Sequence, residues 1–227
     1  MSDLLDRPVW HSLTTHLSQL SMGNDVARRF HPEVNLFLAA REDTPDCMAS
    51  AVELVPEDGE VYMIQVPEIC VPDGLDMAMA AQGVQMVFGH GKAPAFDTSD
   101  IVPLTDEDVP DMLALATLTE PGPFLSRTHE MSQFWGVRID GRLAAMAGER
   151  MRFPGYSEVS GVCTHPDFRG RGLAKRLSAH VRDLVVARGE TPFLHAWSTN
   201  AAAIGLYEGL GFSTRCLVNA CVLRRSG

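Results

Sequence analysis

The stretch Arg169-Gly170-Arg171-Gly172-Leu173-Ala174 combines the residue types that hold a multiply charged anion. Two glycines one residue apart lie where a β-rich segment gives way to a helical one, and their missing side chains let a ligand approach the backbone. The unpaired N–H groups of a first helical turn and the positive end of the helix dipole converge at the same place. A pyrophosphate suits that environment. Glycines also serve ordinary strand-to-helix turns, so the turn acquires meaning only with companions.

The elements that must position this turn are legible on both sides of it. Glu158 to Thr164 reads as a strand, and the segment from Gly172 to Arg188 places Leu173, Leu177, Val181, Leu184 and Val185 on one helical face, ended by Gly189. Phe193 to Trp197 is a strand, Ala201 to Leu210 a helix and Cys216 to Leu223 a last strand. Upstream, Ile101 to Leu104 is a strand, and Thr105-Asp106-Glu107-Asp108 has a capping-box pattern before a helix from Val109 to Leu118. Asp140-Gly141 joins Phe134–Ile139 to Arg142–Met151 as a tight hairpin. Strand, helix, hairpin, strand, helix, strand, helix, strand predicts an α/β (α+β) mixed sheet with helices on its faces.

The first part is read less sharply. Trp10, Leu13, Leu17 and Leu20 recur at helical spacing, Val26 to Phe30 suggests a second short helix, and Val34 to Ala40 a strand. Met48–Val55 and Val61–Val66 flank the turn-rich Pro56 to Glu60 and predict a hairpin, with Gln82 to Phe88 a further strand. The polar, glycine-bearing run from Gly89 to Asp100 marks a boundary, so the expected units are residues 1–98 and 99–227.

Composition narrows the function classes. The chain has 227 residues, 45% of them hydrophobic, enough for a substantial core. The formal charge of −10 is uneven: residues 1 to 98 hold 5 basic and 15 acidic residues, the remainder 14 of each. Neither part has the basic excess that a nucleic-acid partner rewards. The basic residues Arg169, Arg171, Lys175, Arg176, Arg182 and Arg188 cluster in sequence and could attract a small polyanion or form a solvated helix face. No apolar run approaches the length of a membrane span, and the N-terminus does not read as a signal peptide. Five scattered cysteines without a C-x-x-C pair predict a reducing cytoplasm, and eight dispersed histidines predict no metal site.

Arg169-x-x-Gly172-x-Ala174 after a strand, followed by Asn200-Ala201-Ala202-Ala203-Ile204-Gly205-Leu206-Tyr207-Glu208-Gly209-Leu210-Gly211-Phe212, resembles the GNAT superfamily of N-acetyltransferases over about 125 residues. The resemblance implies a GNAT-type fold with acetyl-coenzyme A as donor and a small-molecule or peptide amine as acceptor. By the same resemblance, backbone N–H groups of Arg169, Gly170, Arg171, Gly172, Leu173 and Ala174 hold pyrophosphate. The strand at Val162, Cys163 and Thr164 pairs with pantetheine, as does Asn200, and Tyr207 lies near the thioester sulfur. The layout of the first part is similar to tandem GNAT proteins of the glycine N-acyltransferase-like kind, in which a degenerate copy packs on an active one.

An amine must lose a proton before attacking a thioester, and a carboxylate is a natural acceptor for it. Glu158 is the candidate base, with Glu149, Glu130 and His195 as rivals; Tyr207 is the candidate acid for the departing thiolate. Cys163 reads as a small buried residue before a nucleophile, because no His/Asp partner is identifiable. The segment Thr119 to Phe124, with Arg127 to Glu130, is either an acceptor-pocket loop or a rigid connection. A non-catalytic acyl-coenzyme A sensor, a longer acyl donor, and monomer or homodimer all remain compatible with these residues.

Overall fold

The computed structural model describes residues 3–89 and 95–227. Its helices and strands, in chain order, are α1 (Pro8–Thr14), β1 (Ser21–Gly23), β2 (Ala27–Phe30), β3 (Leu38–Ala40), α2 (Pro45–Glu53), β4 (Val61–Gln65), β5 (Leu75–Phe88), β6 (Ile101–Pro103), α3 (Val109–Thr119), β7 (Trp135–Ile139), β8 (Arg142–Phe153), β9 (Tyr156–Thr164), α4 (Leu173–Ala187), β10 (Thr191–Trp197), α5 (Ala201–Glu208) and β11 (Phe212–Arg225). Strands β1-β2-β3 form a small antiparallel sheet. The other eight form one large sheet in the order β4-β11-β5-β10-β9-β8-β7-β6.

Within the large sheet only β9 and β10 run parallel, so it is mixed, as the hairpin and helix pattern predicts. The β7–β8 hairpin turns where Asp140-Gly141 stands. Both residues have positive φ, 50° and 78°, the conformation a two-residue turn needs to match strand twist.

Residues on either side of Thr98 share this sheet. β5 lies between β10 and β11, pairing Phe193–Trp197 along one edge and Phe212–Arg225 along the other, and β4 pairs β11. Strands from before the expected boundary therefore complete the ladders of strands that follow it, and a cut at Thr98 takes β5 from β10, which keeps only its short ladder to β9, and both β4 and β5 from β11. Of the Gly89–Asp100 run that marked the boundary, His90 to Pro94 lie outside the described residues.

Two local expectations are corrected. Ala27–Phe30 is a strand, because Asn24 Oδ1 accepts from the N–H groups of Val26 (3.0 Å) and Ala27 (2.9 Å) and turns the chain into pairing with β1 and β3. Residues Pro45–Glu53 form helix α2, not the first arm of a hairpin. Pro45 presets the first helical φ behind Thr44, and Cys47, Met48 and Ala51 bury one face against Val61, Met63, Leu75 and Leu223.

Helix α4 packs Leu173, Leu177 and Val181 over Ala145, Ala147 and Val159, small residues that let it sit close to the sheet. Leu177 is fully buried, and truncating such a side chain to alanine costs about 2–5 kcal/mol. Met112, Leu115 and Ala116 of α3 join Met146, Cys163 and Phe134 in another cluster, while α1 lays Val9 and Leu13 against Met151, Phe153 and Phe193. No helix among the described residues is long and apolar enough to cross a membrane.

Candidate active site

The parallel ladder of β9 and β10 is short. It pairs Tyr156–Glu158 with Thr191–Phe193 and then stops; beyond it β9 pairs only with β8, and β10 only with β5. The strands part into a wedge with Glu158 at its apex. One wall is the backbone of Ser160 to Thr164. That wall carries a bulge, where the β8–β9 register slips between Met146↔Cys163 and Gly148↔Ser160. Gly161 sits in it at φ +62°, and a Cβ there would stand 2.8 Å from the Phe134 ring. Only glycine fits on both counts.

The turn into α4 follows directly. Gly170 and Gly172 adopt φ +78° and +73°, and among the described residues nothing lies within 4 Å of where a side chain would start. Arg169 N–H is already spent on Pro166 O at 3.3 Å, and the first helical bond runs from Arg176 N to Gly172 O at 3.1 Å. The N–H groups of Gly170, Arg171, Gly172, Leu173 and Ala174 have no acceptor among the described residues. No side chain among the described residues caps this helix. Five unpaired N–H groups at a positive helix end fit a pyrophosphate.

The basic cluster divides by use. Arg176 is tied to Asp97 O and the Asp100 carboxylate, Arg182 is buried against Leu210 O (2.8 Å) and Arg188 pairs with Glu149 and Glu190. Arg169, Arg171 and Lys175 have no salt-bridge partner among the described residues and stand at the turn itself.

At the apex, Glu158 is completely buried. Arg150 grips both its oxygens, Nε to Oε2 at 2.8 Å and Nη2 to Oε1 at 2.6 Å, and His195 Nδ1 lies 2.7 Å from Oε1. Burial alone would push this carboxyl up; the Arg150 charge and hydrogen bonds, with His195, more than reverse that and hold it at about 2. Hydrogen-bond roles fix the next link. Gln85 Oε1 accepts from Arg215 (2.9 Å) and its Nε2 donates to Leu5 O (2.8 Å), so His195 Nε2, 3.1 Å away, is an acceptor and Nδ1 carries the hydrogen given to Glu158. Arg215 in turn reaches Asp6 (2.7 Å) and Asp3 (3.0 Å).

Glu158, the expected base, thus has both oxygens occupied and little affinity for a proton. Among its rivals, Glu149 faces the other side of the sheet and is held by Arg188 and Ser157, and Glu130 is paired with Arg127 at 2.7 Å. Tyr207 stands on α5 with its ring 6.1 Å from Phe212, edge-on. Burial, reinforced by the Glu158 charge, pushes its hydroxyl up to about 12, so it keeps its proton throughout the neutral range. Asn200 caps α5 through Oδ1, accepting from Ala203 N at 3.1 Å, which leaves its amide Nδ2 as a donor.

The side chain of Cys163 turns away from the wedge into the α3 cluster, and burial pushes its thiol up to about 11. All five cysteines are free, and no group of three or more metal-ligating side chains occurs among the described residues. The sequence reading passed over Arg150, Gln85 and Phe37. A glycine inside a strand, Gly161, was a signal for the bulge; nothing local marked the other three.

A family model described as FR47-like protein matches residues 135–222, the region that holds wedge, turn and α5. A crystal structure of a GNAT-family protein from Novosphingobium aromaticivorans is 46% identical, with both chains covered completely and a TM-score of 0.93. The chain belongs to the GNAT family. A GCN5-related N-acetyltransferase from Kribbella flavida shares the GNAT fold over 95% of this chain and 93% of its own, at 16% identity and a TM-score of 0.65. The ribosomal protein bS18 alanine N-acetyltransferase of Salmonella typhimurium is 39% identical over 78 residues, 34% of this chain and 52% of that enzyme. The chain thus spans about half the length of this curated relative.

Proposed function

We propose that this chain transfers the acetyl group of acetyl-coenzyme A to a primary amine by direct attack. The observation that carries the reading is the opening of the β9–β10 ladder beside the unpaired N–H groups of Gly170 to Ala174. A strand edge with free backbone groups suits a pantetheine arm, and the turn suits the pyrophosphate at its end. Likeness to an alanine N-acetyltransferase supports nitrogen as the acceptor atom.

Gly170 to Ala174 bind the phosphates through the backbone, and Arg169, Arg171 and Lys175 add positive charge. Val162, Cys163 and Thr164 offer backbone groups to the arm, and Asn200 Nδ2 is a further donor for it. The amine gives up its ammonium proton to water, and its lone pair then forms the C–N bond. As the C–S bond breaks, its electrons pass to sulfur and Tyr207 supplies a proton from oxygen. Tyr207 regains one from the nitrogen through solvent, so that amide and free thiol are the products. A hydroxyl held at about 12 is well suited to donate rather than ionise. Glu158, with a carboxyl at about 2, contributes charge: it anchors Arg150 and keeps Tyr207 protonated.

The test is thiol release over a panel of amines beside equilibrium binding of coenzyme A. Turnover that depends on Tyr207 with binding that depends on Gly172 supports the assignment. Tight binding with no turnover for any amine would make the protein a coenzyme A sensor.

A further inference from the structure

Arg150 has one end of its guanidinium uncommitted. Nε and Nη2 are taken by Glu158, while Nη1 has no hydrogen-bond partner among the described residues. Nη1 is not sealed in protein either: a Cβ built on Gly122 would lie 3.8 Å from it, and Arg150 lines a small cup with Gly122, Phe124, Phe134, Ser160 and Gly161. The free space there is about 20 Å³, room for one water-sized group. Ser160 and Gly161 belong to the bulge on the wedge wall, so the cup adjoins the place where the acyl carbon is expected.

The cup is built to be rigid. Arg150 stacks over the Phe37 ring at 4.9 Å. The segment around Val34 holds the loop that roofs the cup: Thr128 Oγ1 donates to Val34 O at 2.6 Å, and Arg127 N to Glu33 O at 2.9 Å. Leu125 N donates to Thr128 Oγ1 at 2.7 Å, and Phe124 meets Phe134 edge-on at 5.4 Å. Residues preceding Thr98 therefore supply both the platform under Arg150 and the anchor for the loop above it.

Resting on the acetyl-transfer reading, we propose that Arg150 Nη1 binds an oxygen of the acceptor, and that the acceptor is an amine whose neighbouring carbon bears a carbonyl or carboxylate. An α-aminoacyl group has this shape, as a free amino acid or as the first residue of a peptide. The charge balance favours it over a polyamine. Glu158 already offsets Arg150, and the carboxylate of Glu149, which also lines the cup, is committed to Arg188 and Ser157, so the cup presents a directional N–H donor and no uncommitted carboxylate, and a second ammonium there would meet the guanidinium. Walls of Pro121, Pro123, Phe124 and Phe134 leave little space around that oxygen.

Alanine, alaninamide and ethylamine test the assignment, since they share a small amine and differ in the oxygen. Their amines differ in basicity, so the readout is how the ratio of kcat/KM values changes between wild type and Arg150→Lys, which keeps a cation for Glu158 but loses Nη1. That ratio is also insensitive to any fraction of unfolded enzyme. For alaninamide or alanine over ethylamine we expect a fall of about tenfold, the size of one lost charge-assisted hydrogen bond. Phe37→Leu, which removes the platform and leaves the ion pair, should move the ratio the same way by about threefold. Ratios unchanged in both variants overturn the proposal. Preference for alaninamide over alanine points to a peptide terminus, and the reverse to a free amino acid. Titration of alaninamide and ethylamine into the protein loaded with coenzyme A separates the two readings. Equal binding of both overturns the Arg150 assignment. Selective binding of alaninamide without thiol release supports it while removing acetyl transfer.

Discussion

Gln85 Nε2 on β5 lies 3.1 Å from His195 Nε2 on β10, and this contact joins the chain before Thr98 to the carboxylate at the apex of the wedge. Through it a run of polar groups extends from Asp6 and Arg215 to His195, Glu158 and Arg150. Buried networks of this kind are stable only when every member is satisfied.

Replacing Glu158 by Gln should therefore cost far more than a surface change. It leaves Arg150 charged, largely buried and without its counterion, a loss of about 3 kcal/mol or more. The wild-type carboxyl is held at about 2 against an ordinary 4.5. A depressed carboxyl stabilises the fold above its unfolded value, and that stability drains away as pH falls from about 4.5 towards 2. Urea unfolding at pH 7, 4.5 and 3 should show this acid dependence in wild type and a weaker one in Glu158→Gln.

Tyr207→Phe removes the proposed proton donor and retains the ring that packs on Phe212. Turnover should fall about a hundredfold, with the Kd for coenzyme A unchanged by calorimetry. Equal turnover in the variant would assign protonation of sulfur to another group.

Gly172→Ala and Gly141→Ala form a matched pair. Both glycines have positive φ, 73° and 78°, with open space around the missing side chain. Each substitution should lower stability by about 1 kcal/mol. Only the change at 172 should weaken coenzyme A binding, because only there do unpaired N–H groups form the proposed pyrophosphate site. A loss of affinity from both would mean the effect is one of general stability.

A fragment of residues 99–227 should fail to form a soluble monomer. Without β5, strands β10 and β11 lose their shared partner and expose unpaired ladder groups. Light scattering and circular dichroism of the fragment against the full chain measure this; a monodisperse, folded fragment would restore the boundary at Thr98.

Thiol titration should find Cys70 reactive in the folded protein, since it is exposed, and Cys163 silent until denaturant is added. Cys163→Ala should retain most of the turnover, measured as thiol release. Its loss would revive a covalent route.

Much of the second part was legible because its signals are local. Asp140-Gly141 fixes a hairpin within four residues, and the glycines before α4 announce their own φ. The wedge itself could not be read: it exists because β9 and β10 stop pairing after Glu158 and Phe193, a matter of which strand each has on its other side. Glu158 was found as a residue, but its duty is set by its burial, by Arg150 and by His195, which Gln85 meets from β5, contacts that its own sequence neighbours do not declare. In the first part, Thr44-Pro45-Asp46 was a helix-start signature that the apolar run after it obscured, and β2 is a strand through pairing that its own residues do not declare.

The place of β5 also bears on how the chain is made. It leaves the ribosome well before its partners, pairing Leu75 with Arg225 and Val87 with both Phe193 and Ser213. Until those strands are synthesised, a segment containing Met77, Ala78, Met79, Ala80 and Ala81 has no ladder to join. Even in the finished fold Met77 and Met79 stay partly in water, 42% and 41% exposed. Long-range pairing of this kind slows folding and prolongs exposure of an apolar strand. The newborn chain should therefore depend on chaperones, and its soluble yield should rise when translation is slowed or growth temperature lowered.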